Sequence, residues 1–251
     1  MSSPLAGQGE TRLFVVDDQG RWDPALLASY VALLDRAERA RHQGYLRDDD
    51  RRRFAIGRAL IRAALSACAP RDPRDWVLVR ERRGRLRIAP GQVDGDLRFS
   101  LSHTSGLLVC LVSVGHDVGV DVEDCEAPPP PSPAWSRKLF SAAEALALAR
   151  LPPPERGRRA WELWTFKEAY LKALGVGLSV PLSSITVTLE PGQPPVLRAA
   201  PPGLPLDGWS FITQQATARH HVAIALPPGA ASAARLVVSR GAPFTTWRRS
   251  A

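Results

Sequence analysis

In residues 161–172 (WELWTFKEAYLK) a carboxylate and an amine stand where a core helix carries neither. Trp161, Trp164 and Leu171 recur at helical spacing and predict one buried stripe, yet Glu168 and Lys172 fall four and eight residues after Trp164 along that stripe. Alone, a Glu–Lys pair at i, i+4 is an ordinary solvated ion pair. Sharing the aromatic stripe points instead to charges that line a cleft beside a buried seam. The helix is predicted to stop at Gly175, with Gly177 following closely.

Some forty residues upstream, residues 118–124 (VGVDVED) alternate with the period of a strand, so Val118, Val120 and Val122 point one way and Asp121 and Glu123 the other. Two carboxylates on one face, about 7 Å apart along the strand, repel unless a cation lies between them. Hard oxygens of this kind suit Mg²⁺, which takes one or two carboxylates and completes its octahedron with water and substrate phosphate. Glu168 could supply a third. An edge strand with a polar outer face would show the same pattern. Residues 99–104 (FSLSHT) form a third piece, a short alternating strand that brings Ser102 and His103 to its end, where a lone histidine is by itself commonly structural.

Leu101-Ser102-His103-Thr104, then Gly119-Val120-Asp121-Val122-Glu123, then residues 164–172 resemble the three signature motifs of the Sfp-type 4′-phosphopantetheinyl transferases, in family order and at similar separations. The likeness spans roughly residues 50–190. It implies an α+β fold of two similar lobes related by a pseudo-twofold, a monomer with coenzyme A in the cleft between them. It further implies transfer of 4′-phosphopantetheine from coenzyme A to a serine of an apo acyl or peptidyl carrier protein, with Mg²⁺ on Asp121, Glu123 and Glu168. In the family an arginine four residues before a glycine contacts the 3′-phosphate, and Arg53 stands four before Gly57. Family members commonly read Gly-Lys-Pro at a turn where this chain has Gly84-Arg85-Leu86. Arg85 keeps the charge near the nucleotide phosphates but loses the proline constraint. Glu168 is then the base, Lys172 and His103 bind pyrophosphate, Ser102 lines the nucleotide site, and Lys167 contacts phosphate.

Composition fits a globular protein, with 45% hydrophobic and 23% charged residues among 251. That length suffices for one large core or two packed lobes. A formal charge of +8 implies acidic partners: nucleic acid, an anionic membrane or a phosphorylated small molecule. Three scattered cysteines, Cys68, Cys110 and Cys125, lack metal-ligand spacing and suit a reducing cytoplasm. No apolar run is long enough to span a bilayer, and Met1-Ser2-Ser3-Pro4 has neither the basic start nor the apolar stretch expected of a signal peptide.

Taken in order, residues 12–16 predict a first strand and Asp23-Pro24 opens a helix with Leu26, Leu27, Tyr30, Leu33, Leu34 and Ala37 on its apolar face. Asp48, Asp49 and Asp50 start a second helix at its favoured end, leaving Arg58 and Arg62 one turn apart on a basic edge, of which the family resemblance implies Arg58 for coenzyme A binding. Strands follow at 76–80, 86–88 and 107–113, and a lobe boundary falls at Gly115-His116-Asp117, giving an N-terminal lobe 1–116 and a C-terminal lobe 117–251. Prolines at 128–131 and 133 predict a stiff spacer. Ser141 and Glu144 have capping-box spacing, and Pro152 to Pro154 are expected to break the chain before the organising helix. Residues 184–189, 209–213 and 220–226 predict antiparallel strands, with His220 and His221 at a strand edge, and the tail from about 230 carries no pattern.

Two other classes share some of these features. A basic nucleic-acid module accounts for Arg51, Arg52 and Arg53 but gives Asp121 and Glu123 no role. A Mg²⁺-dependent phosphohydrolase uses the same carboxylates with water as acceptor and needs no carrier protein.

Overall fold

The computed structural model describes residues 10–20, 22–93, 96–127, 137–230 and 235–250. The proline spacer lies outside them. Among the described residues the elements in chain order are β1 (Glu10–Asp17), α1 (Pro24–Ala32), α2 (Arg36–Gln43), α3 (Asp48–Ser66), β2 (Leu78–Arg80), β3 (Leu86–Ile88), β4 (Leu97–Thr104), β5 (Leu107–Val114) and β6 (Gly119–Asp124). Then come α4 (Ala142–Ala149), α5 (Pro153–Leu174), β7 (Thr186–Thr188), β8 (Val196–Ala199), β9 (Ser210–Gln215), β10 (His220–Leu226), β11 (Arg235–Arg240) and β12 (Arg248–Ser250). No helix among the described residues is long and apolar enough to cross a membrane.

The fold is α+β, as expected, and its halves repeat. A strand, a long helix, a hairpin and two further strands occur twice: β1, α3, β2–β3, β4, β5 and then β6, α5, β7–β8, β9, β10. The sheets repeat too, with order β1-β5-β4 in the first half and β6-β10-β9 in the second. All these pairings are antiparallel. The strand period of two distributes the core into layers. Phe14, Val16, Leu108 and Cys110 pack under α3, whereas Leu13, Val15, Val109 and Leu111 face Val120, Val122, Val222 and Ile224 of the second sheet. Phe166 and Tyr170 of α5 cover that sheet's far side at Phe211, Ala223 and Ala225.

Three local expectations change. The apolar face read through Ala37 is two helices, because Asp35 caps α2 by accepting from the Glu38 N–H while Glu38 reaches back to the Asp35 N–H. Pro153 and Pro154 lie in the first turn of α5, where a missing N–H costs nothing, so the prolines start the helix instead of breaking the chain before it. The tail assigned to the C-terminal lobe returns to the first: β11 pairs parallel to β1 and β12 extends that sheet, with the Tyr30 hydroxyl donating to Pro243 O.

Candidate active site

The site forms where the edges of β4 and β6 meet under α5. Hydroxyls at alternate positions of β4 reach across. Ser100 Oγ accepts the Val120 N–H at 3.1 Å, Ser102 Oγ donates to Asp121 Oδ1 at 2.7 Å, and Thr104 Oγ1 donates to Glu123 Oε2 at 3.2 Å. The valines of β6 are fully buried between the sheets, so its acids turn toward the helix as the alternation predicts. Trp164 of α5, read as an interior residue, donates its indole N–H to Glu123 Oε1 at 3.1 Å.

Lys172 does not pair with Glu168 as a helix-surface ion pair. Its ammonium donates to Asp121 Oδ1 at 2.6 Å and Ser102 Oγ at 2.7 Å, tying α5 to strands of both lobes. Glu168 Oε1 and Asp121 Oδ2 are buried without a hydrogen-bond partner. Burial, followed by the charge of Asp121, raises both Glu123 and Glu168 to about 7. Partnerless hard oxygens among crowded like charges are what a divalent cation relieves, so the residues present fit Mg²⁺. Among the described residues no three His, Cys, Asp or Glu side chains converge as a metal cluster.

Beside Lys172 opens a cavity of about 370 Å³ lined from both lobes. Arg41, Arg53, Arg58, Arg80, Arg83 and Arg85 line it against a single acid, Asp50, with Tyr45, Phe54 and Phe99 as its aromatic walls. His103 stands open to it, and the surrounding protein mass, then Lys172 and Arg53, hold its pKa below the usual histidine range. Such a cavity takes a polyanion with a planar group.

A family model described as the 4′-phosphopantetheinyl transferase superfamily matches residues 117–225. HetI of Nostoc sp. strain PCC 7120, a 4′-phosphopantetheinyl transferase, is 31% identical over 186 residues, covering 74% of this chain and 75% of that protein. The chain belongs to this family. A phosphopantetheinyl transferase of Thraustochytrium sp. is 28% identical over 253 residues, 92% of this chain and 81% of the relative. Sfp of Bacillus subtilis strain 168 is 25% identical over 161 residues, 64% and 69% of the two chains.

The transferase departs from the sequence expectation at Lys167, Arg58, Arg62 and Arg85. Lys167 is fully buried, its ammonium bound by Leu139 O at 2.8 Å, Leu182 O at 3.0 Å and the carboxylate of Glu144, so it cannot reach phosphate. Glu144 also accepts the N–H groups of Ser141 and Val187, which makes the pair a tie between α4, α5 and β7. Removing one partner of a buried pair strands the other charge at a cost of about 3–5 kcal/mol. Lys167→Ala is therefore expected to lower Tm by roughly 6–20 °C while coenzyme A binding below the transition survives. Calorimetric melting and a coenzyme A titration check this, and lost binding at unchanged Tm would return Lys167 to the cleft.

Arg58 is not on an exposed basic edge. It and Arg62 are buried on Glu38 of α2, at 3.0 and 2.7 Å, and Arg58 stacks its guanidinium 4.7 Å over Phe54. Burial lowers the Arg58 pKa to about 10, and Arg80, Arg62 and Arg41 add repulsion that Glu38 opposes. Arg58 still lines the cavity, stacked on Phe54. Arg85 lines it as well, but its guanidinium caps α5 at Ala173 O, 2.9 Å, and pairs with Asp117 at 3.1 Å. Arg53 is braced by Asp18 at 3.3 Å. Arg41, Arg80 and Arg83 escaped the sequence reading because single arginines in a chain this basic carry no periodic signal.

Proposed function

We propose that the transferase seats coenzyme A in the arginine-lined cavity and passes its phosphopantetheine arm to a serine of an acyl or peptidyl carrier protein, acting as a monomer in the cytoplasm. The observation that carries this reading is the place of Lys172, which lines the cationic cavity and donates to Asp121 of β6 and Ser102 of β4. Arg53 takes the 3′-phosphate, with Arg41, Arg80 and Arg83 as further cations, since guanidinium donors match phosphate oxygens in a fixed fork. Lys172 and His103 hold the pyrophosphate.

The carrier serine oxygen bonds to the β-phosphorus as the bond from that phosphorus to its bridging oxygen breaks, releasing adenosine 3′,5′-bisphosphate. Glu168, half-buried on α5 beside Asp121, accepts the serine proton. Lys172 and His103 stabilise charge on the departing bisphosphate. Asp121, Glu123 and Glu168 would hold Mg²⁺, whose contribution when bound is to neutralise pyrophosphate oxygens. Neither alternative class gains support: a nucleic-acid module leaves the β6 carboxylates idle, and the relatives are transferases.

The test is to incubate the protein with coenzyme A, Mg²⁺ and an apo carrier protein, then weigh the carrier. Gain of one phosphopantetheine group is expected, whereas coenzyme A consumed without a carrier would indicate a hydrolase. In the same assay dephospho-coenzyme A is expected to bind roughly tenfold or more weakly, because the arginines lose a charge-assisted partner of about 1.5–3 kcal/mol. Equal use of both substrates would overturn the assignment of Arg53.

A further inference from the structure

His220 was expected at a strand edge, yet β10 is the central strand of its sheet and His220 is fully buried. Both ring nitrogens are engaged. Nε2 meets Ser105 O at 2.8 Å and Nδ1 meets Thr217 Oγ1 at 2.7 Å. A carbonyl oxygen only accepts, so Nε2 carries the hydrogen and Nδ1 accepts from the Thr217 hydroxyl, one neutral tautomer satisfying both contacts. Thr217 Oγ1 accepts in turn from the N–H groups of His220 and Arg219, at 3.2 and 3.3 Å, which fixes the ring's orientation.

Ser105 belongs to the other lobe, in the turn between β4 and β5. Immediately before it come His103, facing the cavity, and Thr104, which donates to Glu123. On the turn's far side the Asp18 N–H donates to Gly106 O at 2.9 Å, and the buried Asp18 carboxylate braces Arg52 and Arg53. This one turn therefore joins the arginine wall to the β6 carboxylates, and His220 is its anchor from the second lobe.

We propose that His220 is a positioning residue for phosphopantetheine transfer, its Nε2–H holding the Ser105 carbonyl across the lobe boundary and so fixing His103 and Thr104 in the cleft. The inference rests on the role given above to His103 at the coenzyme A phosphates. Two substitutions separate positioning from general stability. In His220→Gln the amide nitrogen stands near the place of Nε2 and can still donate to Ser105 O. In His220→Asn the shorter amide reaches only the Nδ1 position and the Thr217 contact.

Both variants are expected to melt at similar, lowered temperatures, since each replaces a buried ring. His220→Gln should stay within about threefold of the parent in coenzyme A affinity and kcat, whereas His220→Asn should bind coenzyme A about 5–10-fold more weakly and exchange the Asp18 amide, which donates to Gly106 O of this turn, faster. Equal affinity and equal exchange in the two variants overturn the proposal, as does a loss in both that follows Tm alone. If the parent binds no coenzyme A, the role of His103 falls instead. The amide comparison then decides whether His220 holds the turn, with slower exchange in Gln than in Asn supporting it and equal rates overturning it.

Discussion

Glu168→Gln is expected to keep measurable coenzyme A binding and to lose about 10²–10⁴ of turnover, the usual size of a general-base contribution. The substitution keeps the shape of the side chain and a coordinating carbonyl oxygen but removes the capacity to take a proton at neutral pH. Its loss should therefore persist when Mg²⁺ is raised. Asp121→Asn makes the contrast, because Asp121 is engaged by Lys172 and Ser102 and its amide counterpart can still accept from both. That variant should lose turnover mainly through weaker metal binding and recover part of it in excess Mg²⁺. Steady-state rates against Mg²⁺ concentration, with coenzyme A binding measured separately, distinguish the two. A Glu168→Gln enzyme near the parental rate would make Glu168 neither base nor necessary ligand.

The parts of the site that were legible in the sequence are those written along one element. Alternation in residues 118–124 sent three valines between the sheets and turned Asp121 and Glu123 to the helix, and the stripe of α5 carried Glu168 and Lys172 to the same place. The end of α5 was equally local, since Gly175 adopts the left-handed conformation, φ 67°, that closes a helix without a Cβ penalty. What was illegible depends on a partner from elsewhere. Lys167 sits one residue before Glu168 and looked like part of the same chemistry, but Glu144 on another helix claims its charge for the core. Arg58 and Arg62 have the spacing of a solvated face, and only Glu38, about twenty residues earlier, makes their burial tolerable. That partner is set by the Asp35 cap, a readable signal overridden by an apolar pattern that ran on through Leu33, Leu34 and Ala37. The return of β11 to β1 gave no signal in the tail, because a six-residue strand carries no mark of the sheet it will join.

Gly119→Ala is expected to be the most damaging glycine-to-alanine change among the described residues. An ideal Cβ at Gly119 would stand 1.8 Å from Ala169 O and 2.6 Å from Ala173 N, both backbone atoms of α5 that no rotamer change can move aside. The helix lies this close to β6 because small residues meet there, Gly119 on the strand and Ala169 and Ala173 one turn apart on the helix. Glu168 and Lys172 each directly precede one of those alanines, so the spacing that admits no methyl also sets the reach of both charged groups to Asp121. To restore ordinary contact the helix must withdraw by more than about 1 Å, and a displacement of that size can cost about 10²-fold in rate. The 2.6 Å contact from Lys172 to Asp121 is expected to lengthen or rearrange with it. Overpacking adds about 1–3 kcal/mol of instability. Turnover should thus fall by about 10²-fold or more with a lowered Tm, whereas Gly20→Ala, where a Cβ meets nothing within 4 Å, should change neither. Both quantities are read by kinetics and melting on the same preparations. Near-parental turnover in Gly119→Ala would mean that the close approach of α5 to β6 is not what places Glu168 and Lys172.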